Sequence, residues 1–261
     1  MPDAAGRLEW PREQEQEEAG RAGRSFLLRR RTGTVPGVLW SPPAPASPPA
    51  VVLLFHGGSG HKRSERVARM GRWLASAAGL AAVAVDGPYH GGRVPAPLEP
   101  PAYQRLIAEE GIGRVTARMT ADWLDAVAAL AARGLAGEAD VSVFGMSMGA
   151  RFGLPAAAAL GPRLRCAVLG KFGTRQALPL HPGLCAPELV TAAARAVSAP
   201  VLYHVQWDDE LFPRDGQLEL FGALASAGKL LRARPGPHAQ ADPGDEACWL
   251  EFIRRNARAP R

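Results

Sequence analysis

The stretch Val141-Ser142-Val143-Phe144-Gly145-Met146-Ser147-Met148-Gly149 sets an apolar run against a serine with glycine two residues to either side. Between a strand and a helix, G-x-S-x-G is the form of a nucleophile elbow, a corner so sharp that the serine hydroxyl stands clear of the backbone. At such a corner a Cβ on Gly145 or Gly149 would strike the neighbouring chain, which is why glycine suits both places. Serine attacks a carbonyl only when a base takes its proton, and the base needs a third group to orient it. The chemistry in prospect is acyl transfer. A Gly-rich turn with an idle surface serine would carry the same five residues, so the surroundings have to decide.

The partners should follow in the order serine, acid, histidine, near the ends of later strands. Downstream histidines are His181, His204 and His238. His204 lies within the apolar run VLYHVQ and reads as a core histidine, while His181 precedes any strand that could present the acid. His238, in RARPGPHAQ, occupies a Pro/Gly-rich loop after the last short strand, the place for a general base. The acid belongs just past Val201 to Gln206, where WDDELFP offers Asp208, Asp209 and Glu210. Asp209 is preferred, with Asp208 the alternative. A third element, His56-Gly57-Gly58-Ser59-Gly60, follows the apolar run Val51 to Phe55. Its open backbone suits an oxyanion hole, with the N–H groups of Gly58 and Met148 as donors. It lacks the G-x-x-x-x-G-K-[ST] spacing of a phosphate-binding loop.

These groups need a scaffold that brings strand ends together. Strands are predicted over 26–31, 35–40, 51–55, 80–85, 141–144, 166–169, 201–206 and 230–233. Helices are predicted over 64–78, 116–132, 150–160, 187–197, 217–227 and 244–255. Strands alternating with helices imply a mostly parallel sheet covered on both faces. Residues 1–23 read as a polar arm and 24–261 as one domain without internal repeats. About 17 residues separate the strand at 166–169 from the next helix, too few for a helical cap. An open site follows, walled by Tyr89, Met146, Phe172, Trp207 and Phe212, while Lys62, Arg63 and Arg151 read as solvated charges.

Length and composition narrow the partners. A chain of 261 residues with 47% hydrophobic content suits a single α/β core. Its net charge is +6, but the basic residues are nearly all arginines scattered along the chain, which does not make a nucleic-acid surface. No run of about 18 uncharged apolar residues suggests a membrane span. The N-terminal residues lack an apolar core and carry a glutamate cluster, unlike a secretory signal. Cys166, Cys185 and Cys248 are far apart and odd in number, fitting neither a disulfide framework nor a zinc site. The expectation is a cytoplasmic protein with no metal or other cofactor, its oligomeric state open.

HGGSG after one strand, DGPYHGG after the next, then GMSMG, WDDELFP and PGPHA stand in the order and spacing of α/β-hydrolases. Over roughly residues 25 to 257 the chain most resembles the dienelactone-hydrolase-like serine esterase branch. The resemblance implies an α/β-hydrolase fold with little or no cap domain. It implies Ser147 as nucleophile, Asp209 as acid, His238 as base, and Gly58 with Met148 as oxyanion hole. Dienelactone hydrolases proper use cysteine as nucleophile, so the serine here favours a general ester hydrolase. The function so implied is cleavage of a small or medium carboxylic ester through an acyl-enzyme. A peptidase or thioesterase of the same fold, or a binding protein that keeps the fold, are the alternatives.

Overall fold

In the computed structural model, residues 6–11, 23–43 and 47–257 are described. Among these residues nine strands form one sheet: β1 (Arg7–Glu9), β2 (Arg24–Arg30), β3 (Gly33–Trp40), β4 (Val51–Phe55), β5 (Ala81–Val85), β6 (Val141–Met146), β7 (Leu164–Gly170), β8 (Val201–Gln206) and β9 (Lys229–Arg234). Their order is β1-β2-β3-β5-β4-β6-β7-β8-β9. The first three join antiparallel, and everything from β5 across to β9 is parallel. This is the mostly parallel sheet that the strand–helix alternation implies, in the α/β-hydrolase arrangement that the resemblance implies.

The helices are α1 (Glu65–Ser76), α2 (Pro100–Glu110), α3 (Ile112–Ala131), α4 (Met148–Leu160), α5 (Pro187–Ala196), α6 (Arg214–Ala223) and α7 (Pro243–Asn256). β4 and β5 are apolar throughout because both of their faces are covered. Along β4, Val51, Leu53 and Phe55 join the core under α3, α4 and α5, while Val52 and Leu54 join the core under α1 and α7. That division follows from the two-residue period of a strand. It leaves the C-terminal ends of β4, β6, β7 and β8 side by side, where loops can converge without burying unpaired backbone.

Two segments differ from expectation. Arg7–Glu9 pairs with Leu27–Arg29 and buries Leu8, so part of the expected polar arm belongs to the sheet; residues 1–5 and 12–22 lie outside those described. Three residues are too short to show a strand period. The stretch 95–113, where no helix is predicted, contains α2, whose start carries Pro100 and Pro101 where a helix tolerates proline. The segment between β7 and α5 holds only a 3₁₀ turn at Pro182–Leu184, in line with a missing helical cap.

Candidate active site

Ser147 is the hinge between β6 and α4. Its φ of 59° and ψ of −123° put it in a region that a non-glycine residue enters only when its surroundings force it. The cause is close packing. A Cβ on Gly149 would lie 2.6 Å from the carbonyl oxygen of Phe55, and one on Gly145 would overlap the carbonyl of Gly149. The Ser147 N–H donates to the Gly170 carbonyl at 2.9 Å, tying the corner to β7. The serine carbonyl accepts from Ala150 and Arg151, which begins α4 and leaves the Met148 N–H among the first-turn donors that a helix cannot satisfy itself.

His238 faces this corner from the loop between β9 and α7. Its Nε2 lies 2.9 Å from Ser147 Oγ, and its Nδ1 lies 2.8 Å from Asp209 Oδ2. The Asp209 side chain is fully buried, and its Oδ1 accepts from the N–H groups of Leu211 at 2.9 Å and Phe212 at 2.8 Å. Gln217 donates to Oδ2 at 3.4 Å. A carboxylate with so many donors is held in one orientation, and the Nδ1–H···Oδ2 contact leaves Nε2 as an acceptor for the serine proton.

The three consecutive acids take three different partners. Asp209 meets the imidazole. Asp208 Oδ2 accepts from the Gly236 N–H at 2.7 Å, and Glu210 Oε2 accepts from the His238 N–H at 2.8 Å. The geometry therefore favours Asp209 over Asp208 as the partner of His238.

The Gly57–Gly60 turn lies beside the corner. A Cβ on Gly58 would collide with the Tyr103 hydroxyl and come 3.9 Å from Met148 Cβ, so the two expected donors are neighbours. Buried histidines brace this turn. His56 Nε2 accepts from the Gly87 N–H at 2.7 Å while Nδ1 lies 2.8 Å from the Gly57 carbonyl, and His90 Nε2 lies 2.9 Å from the Gly58 carbonyl. Burial draws the His56 pKa down to about 4, so the ring stays neutral. Below them, burial acts to raise the Asp86 carboxyl, but Lys62 outweighs it through Nζ at 2.7 Å and its own N–H at 2.9 Å, holding Asp86 below the usual range.

Ser147, His238, Gly58 and Met148 line one cavity of about 570 Å³, together with Met146 and Phe212. The other three expected wall residues stand outside it. Tyr89 turns its hydroxyl to Glu110 at 2.6 Å, Trp207 is 43% exposed beneath the Arg214 guanidinium, and Phe172 is buried behind Phe212 at a ring separation of 5.2 Å. In their place α2 supplies Tyr103, Gln104 and Ile107, and the segment before α5 supplies Leu180 and Leu184. Arg151, expected in solvent, is buried, with burial drawing its pKa down to about 10 and its guanidinium donating to the Leu184 carbonyl and Gln176. Lys171, also on the cavity wall, had no sequence signal beyond being a lone lysine after an apolar strand.

The sequence matches the dienelactone hydrolase family over residues 35–235. The chain belongs to the dienelactone hydrolase family. Like the rest of that family it is an α/β-hydrolase, and it is a carboxylic ester hydrolase. Among solved structures it is similar to a cold-adapted esterase from an Arctic intertidal metagenomic library, with 35% identity, a TM-score of 0.76, and coverage of 90% of this chain and 93% of that one. An acetyl xylan esterase from Paenibacillus sp. R4 shares the fold at 16% identity and a TM-score of 0.68, covering 97% of this chain and 89% of that one. So does the Pyrococcus horikoshii acylaminoacyl peptidase, at 16% identity and a TM-score of 0.67, over 92% of this chain and 42% of the peptidase. Comparison with curated sequences returned no match. No helix among the described residues is long and apolar enough to cross a membrane.

Proposed function

We propose that this hydrolase cleaves a small or medium carboxylic ester through an acyl-enzyme on Ser147. The observation that carries the reading is the unbroken hydrogen-bond chain Ser147 Oγ–His238 Nε2 at 2.9 Å and His238 Nδ1–Asp209 Oδ2 at 2.8 Å, open to the cavity. His238 takes the hydroxyl proton as Oγ bonds to the acyl carbon. The carbonyl oxygen, now negative, rests on the N–H groups of Gly58 and Met148. When the ester C–O bond breaks, the imidazolium returns its proton to the departing alcohol. A water then repeats the sequence on the acyl-enzyme, giving the free acid and restoring Ser147. Asp209 keeps the imidazole in the required tautomer and stabilises the imidazolium without taking its proton.

Ser147→Ala should lower kcat for p-nitrophenyl acetate by about 10⁴- to 10⁶-fold with unchanged thermal unfolding. An undiminished rate in that variant rules the mechanism out. Ester, thioester and peptide substrates of matched acyl group, assayed side by side, should rank the ester first; a faster peptide or thioester would reassign the substrate class.

A further inference from the structure

The segments that hold the proposed triad meet at one peptide unit. The Gly170 carbonyl, at the end of β7, accepts from the Ser147 N–H at 2.9 Å, and the Lys171 N–H of the same peptide donates to the His204 carbonyl on β8 at 2.9 Å. A Cβ on Gly170 would overlap that His204 carbonyl, so the approach needs glycine. The Lys171 side chain then reaches the third segment: Nζ donates to the His238 carbonyl at 3.0 Å and to the Gln240 carbonyl. Lys171 is buried, with a φ of 49° in the left-handed region that strains a residue bearing a side chain. Burial, with Arg66 next, draws its pKa down. A buried, strained lysine spending its ammonium on loop carbonyls is a poor choice for stability alone.

What it holds is specific. The His238 N–H is taken by Glu210 and the His238 carbonyl by Lys171, so both polar groups of that residue's backbone are pinned while Asp209 pins the ring. We propose that Lys171 is a positioning residue for the proposed base, holding His238 in line with Ser147. The proposal rests on the triad reading given above. The base must reach the serine and the acid at once, and a misplacement of about 1 Å can cost on the order of 100-fold in rate. Among the described residues no strand lies beyond β9 to fix the loop that follows it, and an ammonium offers several donors for its carbonyls.

Lys171→Met keeps the length of the stem and removes the donors. It should lower kcat for p-nitrophenyl acetate by about 10- to 100-fold with KM changed by less than about twofold, and slow fluorophosphonate labelling of Ser147 in proportion. Lys171→Arg should recover most of kcat. Glu210→Gln should slow the enzyme less, and the double variant should lose less than the product of the two, since both side chains hold one residue. Full kcat in Lys171→Met beside an inactive Ser147→Ala would overturn the inference and leave the triad reading standing. An active Ser147→Ala would overturn the triad reading first. A raised KM at constant kcat would assign Lys171 to substrate binding and overturn positioning. Should Lys171→Met fail to fold, Lys171→Gly, which the left-handed φ accommodates, takes its place, and full kcat there would do the same.

Discussion

The two ends of the Ser147–His238 hydrogen bond are built in opposite ways. The serine end is local: five consecutive residues, two of them glycines pressed on Phe55 and on each other, force one backbone conformation. The histidine end is assembled from afar. Its loop is held by Asp208, Asp209 and Glu210 after β8, by Lys171 after β7, and by Gln206, whose amide donates to the carbonyls of Pro235 and Gly236 at 2.8 and 2.9 Å. The first is steric and all-or-none; the second is a set of polar contacts, each of which can fail alone. The corner should therefore break at once under substitution, whereas the loop should degrade in steps.

The largest step belongs to Asp209→Asn. Its Oδ1 can still accept from Leu211 and Phe212, but an amide facing Nδ1 favours the wrong tautomer, and kcat should fall about 10⁴-fold with little change in unfolding temperature. A greater loss in Asp208→Asn would reverse the assignment of the two acids. Next comes the corner itself. Gly145→Ala should cost about 2–4 kcal/mol of stability in denaturant unfolding, because the added methyl meets backbone that cannot yield. Wild-type stability there would show that the corner is not sterically fixed.

Acid tests both sides together. Burial draws His56, beneath the Gly57–Gly60 turn, and His204, on β8 beside Gln206, down to about 4 from 6.5. Below pH 6.5 the unfolded chain binds protons that the folded one refuses, so stability is full above that pH and falls as pH drops toward 4. Each histidine contributes about 1.4 kcal/mol per pH unit across that window. The unfolding temperature should drop between pH 7.5 and 4.5, and His204→Gln should flatten the drop; a level curve in the parent protein would contradict the burial of both rings. The smallest expected effect is that of Asp208→Asn, which weakens one contact to the Gly236 N–H and should reduce kcat by less than about tenfold.

What was legible in the sequence follows the same division. The corner and the Gly57–Gly60 turn could be read because each is contiguous and its glycines answer a local steric demand. His238 could be read from its loop after the last strand. The acids could be narrowed to a run but not separated, since the choice among Asp208, Asp209 and Glu210 depends on how the chain turns after Gln206 and where Gly236 and His238 come to rest. Tyr89, Phe172 and Trp207 were misplaced for a related reason. A place near a strand end does not fix which way an aromatic ring points: Phe172 lies under Phe212, and α2 lines the cavity with Tyr103 and Ile107. Lys171 could not be found, because its partners are backbone carbonyls 67 and 69 residues away that carry no sequence signature.

The most direct test of the central claim is covalent labelling. After exposure to a fluorophosphonate, the peptide containing Ser147 should carry the phosphonyl adduct by mass spectrometry, and His238→Gln should suppress the adduct in a folded protein. An adduct on another serine, or equal labelling of Ser147 without His238, would contradict the account.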